Sequence, residues 1–205
     1  MRILIASSNQ GKLLEIMAML QDLPIEAVLP AEIGLILEVD EDGNTYAENA
    51  IKKARAYCEA SGLITLADDS GLEVAALDGK PGLHSARFTG KTGATDADRR
   101  KYLLKQLNEH DRPWPAAFHS TVAIAIPDGK YFTMDGECRG QIIPEERGTG
   151  GFGYDPIFLV EGLNKTMAEL TMEEKNSLSH RARAILAARP VLMELANVLK
   201  TSTKS

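Results

Sequence analysis

The sequence predicts an α/β fold, a mixed β-sheet flanked by helices. Three observations carry this. The chain opens as an apolar strand, a small polar loop and a helix. A second helical segment leads into another apolar run, Leu63–Ala67. Two later strand-like runs are joined by Pro127-Asp128-Gly129, a hairpin signal. Crossovers give parallel neighbours and hairpins antiparallel ones, so a sheet built from both is mixed. The pattern suits one domain over residues 1–205 with two lobes and a cleft between them, since 205 residues fit the ~100–200 of a single domain.

Each element follows from local chemistry. Arg2–Ala6 (RILIA) is a buried strand, and Ser7-Ser8-Asn9-Gln10-Gly11 is a polar loop. From Lys12 to Leu20, apolar residues at 13, 14, 16, 17 and 20 have helical spacing. A second strand lies in Glu26–Leu29, and 38–44 is an acidic loop. Thr45-Tyr46-Ala47-Glu48 fits a capping box, and Gly62 stops the helix that follows. Ser70-Gly71-Leu72-Glu73 also matches a capping box, but Gly71 would sit in the first turn, so no helix is expected there. The Gly- and Thr-rich segment 79–93 reads as a long mobile loop. Thr95 starts a helix to about Asn108. Strands are expected at 116–126 and 130–139, and a Gly-rich loop at 148–153. Thr171 caps a short helix, and a last helix from Ser179 to Leu199 is expected to bend or break near Pro190.

Composition narrows the function. The net charge of −6 excludes a general nucleic-acid binder, which needs a basic face, but leaves room for a small polyphosphate ligand. No apolar run reaches the ~20 residues of a membrane span. The opening apolar run meets Asn9 and Lys12 too soon for a secretory signal, so the expected place is the cytoplasm. Cys58 and Cys138 have no CxxC spacing and read as packing thiols.

Four constellations carry chemistry. Ser7, Ser8, Asn9, Gln10, Gly11 and Lys12 precede or open a helix, offering hydroxyl, amide and N–H donors plus a cation to an anion. An ordinary helix cap with a surface lysine has the same appearance, and there is no GxxxxGK[ST] loop. Asp68 and Asp69 close an apolar strand, and adjacent strand residues face opposite sides, so their roles should differ. One of them, with Glu41 from the acidic loop, suits Mg²⁺, which takes one or two carboxylates plus substrate phosphate oxygens. Phe152-Gly153-Tyr154-Asp155 supplies flat rings for stacking and an acceptor within a Gly-rich loop. Lys175, His180 and Arg181 supply donors near a helix start. A GxSxG nucleophile elbow is absent. Together the four fit a nucleoside triphosphate with Mg²⁺.

The chain resembles the inosine triphosphate pyrophosphatase family, the dITP/XTP pyrophosphatases. The blocks are SSNQGKLLE at 7–15, EDGNTYAENAIKKA at 41–54, LADDSGLEV at 66–74, GKPGLHSARFTG at 79–90, GTGGFGYDPIF at 148–158 and EEKNSLSHRARA at 173–184. The resemblance implies an elongated mixed sheet with two lobes and a central active-site cleft, in a homodimer. It implies Mg²⁺-dependent hydrolysis of ITP, dITP and XTP to the monophosphate and pyrophosphate, cleansing the nucleotide pool. It casts Asp69 as general base and metal ligand, Glu41 as a further ligand, Ser7–Lys12 as the triphosphate loop, and Lys53 and Ser70 as neighbours of the substrate. Phe152, Gly153, Tyr154, Asp155, Lys175, His180 and Arg181 become nucleotide and base contacts, with Arg181 the expected donor to a 6-oxo group. Many relatives have Thr-Gly-Asn where this chain has Ser7-Ser8-Asn9. Rival readings are a pyrophosphatase for modified pyrimidine nucleotides, a nucleotide-binding regulator without turnover, and a phosphatase releasing orthophosphate.

Overall fold

In a computed structural model, which describes residues 1–202, the chain forms two compact units. The first is Met1–Asp69, Ser120–Gly136 and the described residues from Arg181 on; the second is Ser70–His119 and Glu137–His180. Strands β3 (Ile64–Val74), β5 (Trp114–Ala125) and β6 (Tyr131–Ile142) contribute to both.

In the first unit, β1 (Arg2–Ile5) lies between β2 (Glu26–Val28) and β3, parallel to each. Strand alternation then builds two cores. Ile3, Ile5, Ile64, Leu66, Val122 and Ile124 face one side, under α1 (Gln10–Leu20) and α5 (His180–Ser202). Ala6, Ala67, Ala123 and Ala125 face the other, under Ala50, Ala54 and Cys58 of α2 (Tyr46–Ser61). Small residues on that side let the helix approach closely. Thr45 caps α2 by accepting from the Glu48 N–H, and Gly62 ends it at φ 68°. The Glu48 carboxylate accepts from Asn44 N–H, one residue before the cap.

In the second unit, β4 (Pro81–Gly82) pairs antiparallel with β3, and β7 (Phe158–Val160) pairs antiparallel with β6. Helices α3 (Asp96–Leu107) and α4 (Met172–Leu178) start at Thr95 and Thr171, each with a reciprocal capping box. The core joins Leu72, Val74, Leu103, Leu107, Trp114, Phe118 and Phe158.

Three expectations are corrected. Strand β3 does not end at Ala67 but runs on through Asp68-Asp69-Ser70-Gly71, because side-chain partners satisfy its buried carboxylates. Segment 79–93 is not a loose loop. Ser85 pins it by accepting from Leu72 N–H at 2.9 Å while its carbonyl accepts from Tyr154 OH at 2.9 Å. Helix α5 continues through Pro190. Burial of Ile185, Ala188, Leu192 and Ala196 outweighs the ~3 kcal/mol that an internal proline costs.

Candidate active site

The first unit gathers ionisable groups past the C-terminal end of β1 and along the middle of β3. The register ends at Ile5↔Leu66, where Ala6 N–H donates to the Leu66 carbonyl at 2.8 Å, and the loop that starts at Ser7 leaves the sheet there. Helix α1 starts there because Asn9 Oδ1 accepts the Lys12 N–H at 3.1 Å, while Ser7 Oγ accepts the Asn9 N–H at 3.2 Å. Ser8, Asn9 and Gln10 are exposed, so the predicted anion loop faces solvent, and Gly11 is half-buried.

Strand alternation separates the two aspartates. Asp68 shares the α1/α5 side with Leu66 and is fully buried. It accepts from Lys12 Nζ at 2.8 Å, from Arg181 Nε and Nη2 at 3.3 Å each, and from Ser120 Oγ. Arg181 Nη1 donates to the buried Glu15. Burial pushes the Asp68 carboxyl up, but Arg181, Lys12 and Ser120 together overcome it and hold it far below the carboxylate range. The cluster contains two cations and two carboxylates, so its burial is charge-balanced.

Asp69 shares the α2 side with Ala67 and is also buried. Burial raises its pKa, and the nearby Glu41 adds to this; Lys12, Asn49 and Lys53 pull it down without restoring the ordinary value. Asn49 Nδ2 donates to Asp69 Oδ2 at 3.0 Å, and Asn49 Oδ1 accepts the Gly43 N–H at 2.8 Å. One buried amide thus ties the acidic loop to Asp69. A Cβ on Gly43 would stand 2.7 Å from Asn49 Oδ1, so the loop's approach requires glycine. Lys53 is paired with Glu41.

The second unit holds another set. Asp155 is buried and Oδ2 accepts from Lys175 Nζ at 2.6 Å and from Phe152 N–H at 2.9 Å. Lys175 Nζ lies 5.3 Å from the centroid of the half-buried Phe152 ring, in cation–π range. Gly151 is needed here, because a Cβ would stand 2.0 Å from Asp155 Oδ2 and its φ is +69°. Gly153 donates to Asp96 at 2.8 Å and accepts from Arg100 at 2.9 Å, anchoring the loop to α3. His180 is buried and stacks on Phe118, with centroids 4.8 Å apart and planes at 14°. Ser70 is half-buried.

The structure therefore brings Lys12, Glu41, Lys53 and Asp69 within electrostatic reach of one another, and separately joins Phe152, Asp155 and Lys175. One expected duty meets an obstacle. Tyr154 is expected to offer a flat face, but its ring is buried in the second unit's core and its hydroxyl is bound to Ser85. Arg181 is expected to donate to a base; its bonds to Asp68 and Glu15 use three of its five N–H donors. Sequence reasoning also missed Glu15, Asn49 and Ser120. For Asn49 a signal existed: a polar residue beside Ala50 on the apolar stripe of α2, one turn from Lys53.

Among the described residues no group of three or more His, Cys, Asp or Glu side chains could hold a metal. Glu41 and Asp69 are two neighbouring hard oxygen donors, which is the donor set Mg²⁺ uses when phosphate oxygens complete its shell.

The α/β fold with this mixed sheet is shared with solved proteins. A HAM1 protein from Coxiella burnetii superposes with a TM-score of 0.85 at 40% identity, covering 95% of this chain and 99% of that one. A nucleoside-triphosphatase / dITP/XTP pyrophosphatase from Mycobacterium abscessus gives 0.74 at 42% identity, covering 93% and 100%. A dITP/XTP pyrophosphatase of Geobacter sulfurreducens is 47% identical over 90% of this chain and 92% of its own. The chain belongs to the Ham1 family, whose model matches residues 3–191.

Proposed function

We propose that the protein is a dITP/XTP pyrophosphatase that hydrolyses deaminated purine nucleoside triphosphates (ITP, dITP and XTP) to the monophosphate and pyrophosphate. The observation that carries this is Asp69, a buried carboxylate with a raised pKa, set among Lys12, Lys53 and Glu41. Asp69 takes a proton from the water that attacks the α-phosphorus. Lys12 and Lys53 offset the charge of the triphosphate, which sits at the N-terminus of α1, where the helix dipole favours anions. Glu41 and Asp69 would hold Mg²⁺. When bound, it neutralises phosphate charge and stabilises the departing pyrophosphate. In the second unit, Phe152 stacks on the base. Gly153, Lys175, His180 and Ser70 line the nucleotide's path, and Asp155 keeps Phe152 and Lys175 in place. Arg181 donates to the 6-oxo group of the base and, through other N–H groups, holds Asp68 and Glu15.

The same reading includes a homodimer and a cytoplasmic place. Among the described residues no helix is long and apolar enough to cross a membrane. Sedimentation at micromolar concentration is expected to give about twice the 22.3 kDa chain mass; a fully active monomer would refute the dimer.

The test is incubation of the pure protein with ITP, dITP, XTP, GTP and ATP, each with Mg²⁺, reading pyrophosphate and orthophosphate separately. Pyrophosphate from the deaminated purines, with ATP and GTP turned over far more slowly, is the expected result. Orthophosphate as the first product, or equal turnover of ATP, overturns the proposal. EDTA should abolish turnover and Mg²⁺ restore it, while undiminished activity with metal shown absent would remove Mg²⁺ from the reading.

A further inference from the structure

We infer that Asn49 is the positioning residue of the metal site: its one amide holds the acidic loop that carries Glu41 in register with the Asp69 carboxylate, and so sets the affinity for the divalent cation. The inference rests on the function proposed above and gives a duty to a residue that the reaction does not itself use.

The acidic loop lies along the start of α2, and each of its residues from 41 to 44 has a partner there. Glu41 is paired with Lys53, Asp42 with Lys52 at 2.6 Å, the Gly43 N–H with Asn49 Oδ1 at 2.8 Å, and the Asn44 N–H with Glu48 at 2.7 Å. Among these helix residues Glu48 and Lys52 are exposed and Lys53 is half-buried, whereas Asn49 is buried. An exposed ion pair such as Lys52–Asp42 holds a loop weakly, because water and salt screen it. Asn49 differs in reach as well as in burial: its Nδ2 donates to Asp69 Oδ2 at 3.0 Å. Loop and strand are thus joined through a single side-chain amide. The fit is close on the loop side, where a Cβ on Gly43 would stand 2.7 Å from Asn49 Oδ1 and 2.8 Å from Glu48 Cβ.

An amide suits this place because the side chain must donate to a carboxylate and accept from an N–H at once. Aspartate would set a like charge against Asp69, and an apolar residue would take a partner from both Asp69 and the Gly43 N–H. Glu41 stands two residues before Gly43, so loss of the amide lets the two oxygen donors move independently. A cation that needs both must then order them as it binds, a cost that the intact link removes beforehand. Loss of a group that orients metal ligands weakens binding by about 10- to 100-fold.

The experiment compares wild type with Asn49→Ala, Gly43→Ala and the two combined. Mn²⁺ stands in for Mg²⁺, so that free cation can be read by electron paramagnetic resonance with no nucleotide present. In Asn49→Ala the Mn²⁺ Kd per folded molecule should rise by ~10-fold or more, and in Gly43→Ala by less. Combining the two should raise Kd little beyond Asn49→Ala alone, because both act on one link. In turnover, the Mg²⁺ concentration that gives half of the maximal rate with ITP should rise in parallel with Kd. KM for ITP at saturating Mg²⁺ should change by less than about threefold. A merely structural role would lower Tm and leave Kd unmoved. A Kd within about twofold of wild type in Asn49→Ala overturns the inference, as does a combined effect equal to the separate effects multiplied. If Asn49→Ala does not fold, Gly43→Ala decides, and an unchanged Kd there overturns the inference. Wild type that binds Mn²⁺ but makes no pyrophosphate fails the proposed function alone, and the Kd comparison still judges Asn49. Wild type that binds no Mn²⁺ overturns the inference whatever it hydrolyses.

Discussion

Asp68 and Asp69 are adjacent, chemically identical and both buried, yet one side of the strand favours the charged carboxylate and the other resists it. Asp68 meets two cations and a hydroxyl on the α1/α5 side. Asp69 meets an amide at hydrogen-bonding distance and feels Lys12 and Lys53 against the opposing Glu41. Burial is therefore not what separates them. The difference is the number of donors that reach each oxygen, and β-strand geometry allows two environments to stand one residue apart. A catalytic base and a structural anchor can then share a dipeptide.

Asp69→Asn should break the chemical half of the comparison. A fall in kcat of at least ~10²-fold is expected, the scale of general-base loss. Stability should hold or rise at neutral pH, since a buried charge with a raised pKa opposes folding when ionised. In the metal-free protein, the Asp69 carboxyl should protonate above the ordinary 3.8 as pH falls, read by carboxylate NMR titration. A near-native kcat for the mutant would remove Asp69 from the mechanism.

Asp68→Asn should break the structural half, with a loss of about 3 kcal/mol in denaturant unfolding, because Lys12 and Arg181 then share one carboxylate fewer. The Asp68 folded-state pKa is lowered, so its contribution is full above the unfolded value and lost as pH falls through the folded one. The stability gap between wild type and mutant should thus be constant near neutrality and shrink as pH drops below 3.8. A gap independent of pH would show that Asp68 acts through shape alone.

Asn49→Ala sharpens the contrast from the other direction. It removes the hydrogen bond that Asn49 donates to Asp69, so the Asp69 titration in the metal-free protein should move to higher pH, and kcat should fall by the equivalent of about 1 kcal/mol. A titration moving to lower pH would contradict the assignment. Gly43→Ala should produce a weaker copy, since its Cβ pushes on Asn49 Oδ1 rather than deleting it.

The local elements were legible in the sequence because their signals are local. Thr45, Thr95 and Thr171 cap helices through residues three positions on, as their spacing predicts. The continuation of β3 past Ala67 was not legible, since Asp-Asp-Ser-Gly reads as a turn unless its partners are known. At the site, residue types were legible and pairings were not. Arg181 lies 113 positions from Asp68 and 166 from Glu15, and no periodicity links them. Tyr154 read as a stacking ring because loop aromatics look alike in sequence, whether exposed or held by a carbonyl such as that of Ser85.

The chain passes between its two units at Asp69–Ser70, His119–Ser120, Gly136–Glu137 and His180–Arg181. This order of passage bears on synthesis. Asp68 is made early, but the arginine that offsets its burial arrives only with the last helix. A nascent chain still short of Arg181 holds Asp68 on β3 without that cation, and an apolar sheet face that lacks Ile185, Ala188 and Leu192. The first unit is assembled from three separate stretches, so its core closes only once α5 has been made. A product of premature termination would display this unfinished face, a surface that proteases and chaperones recognise, instead of persisting as a half-active enzyme.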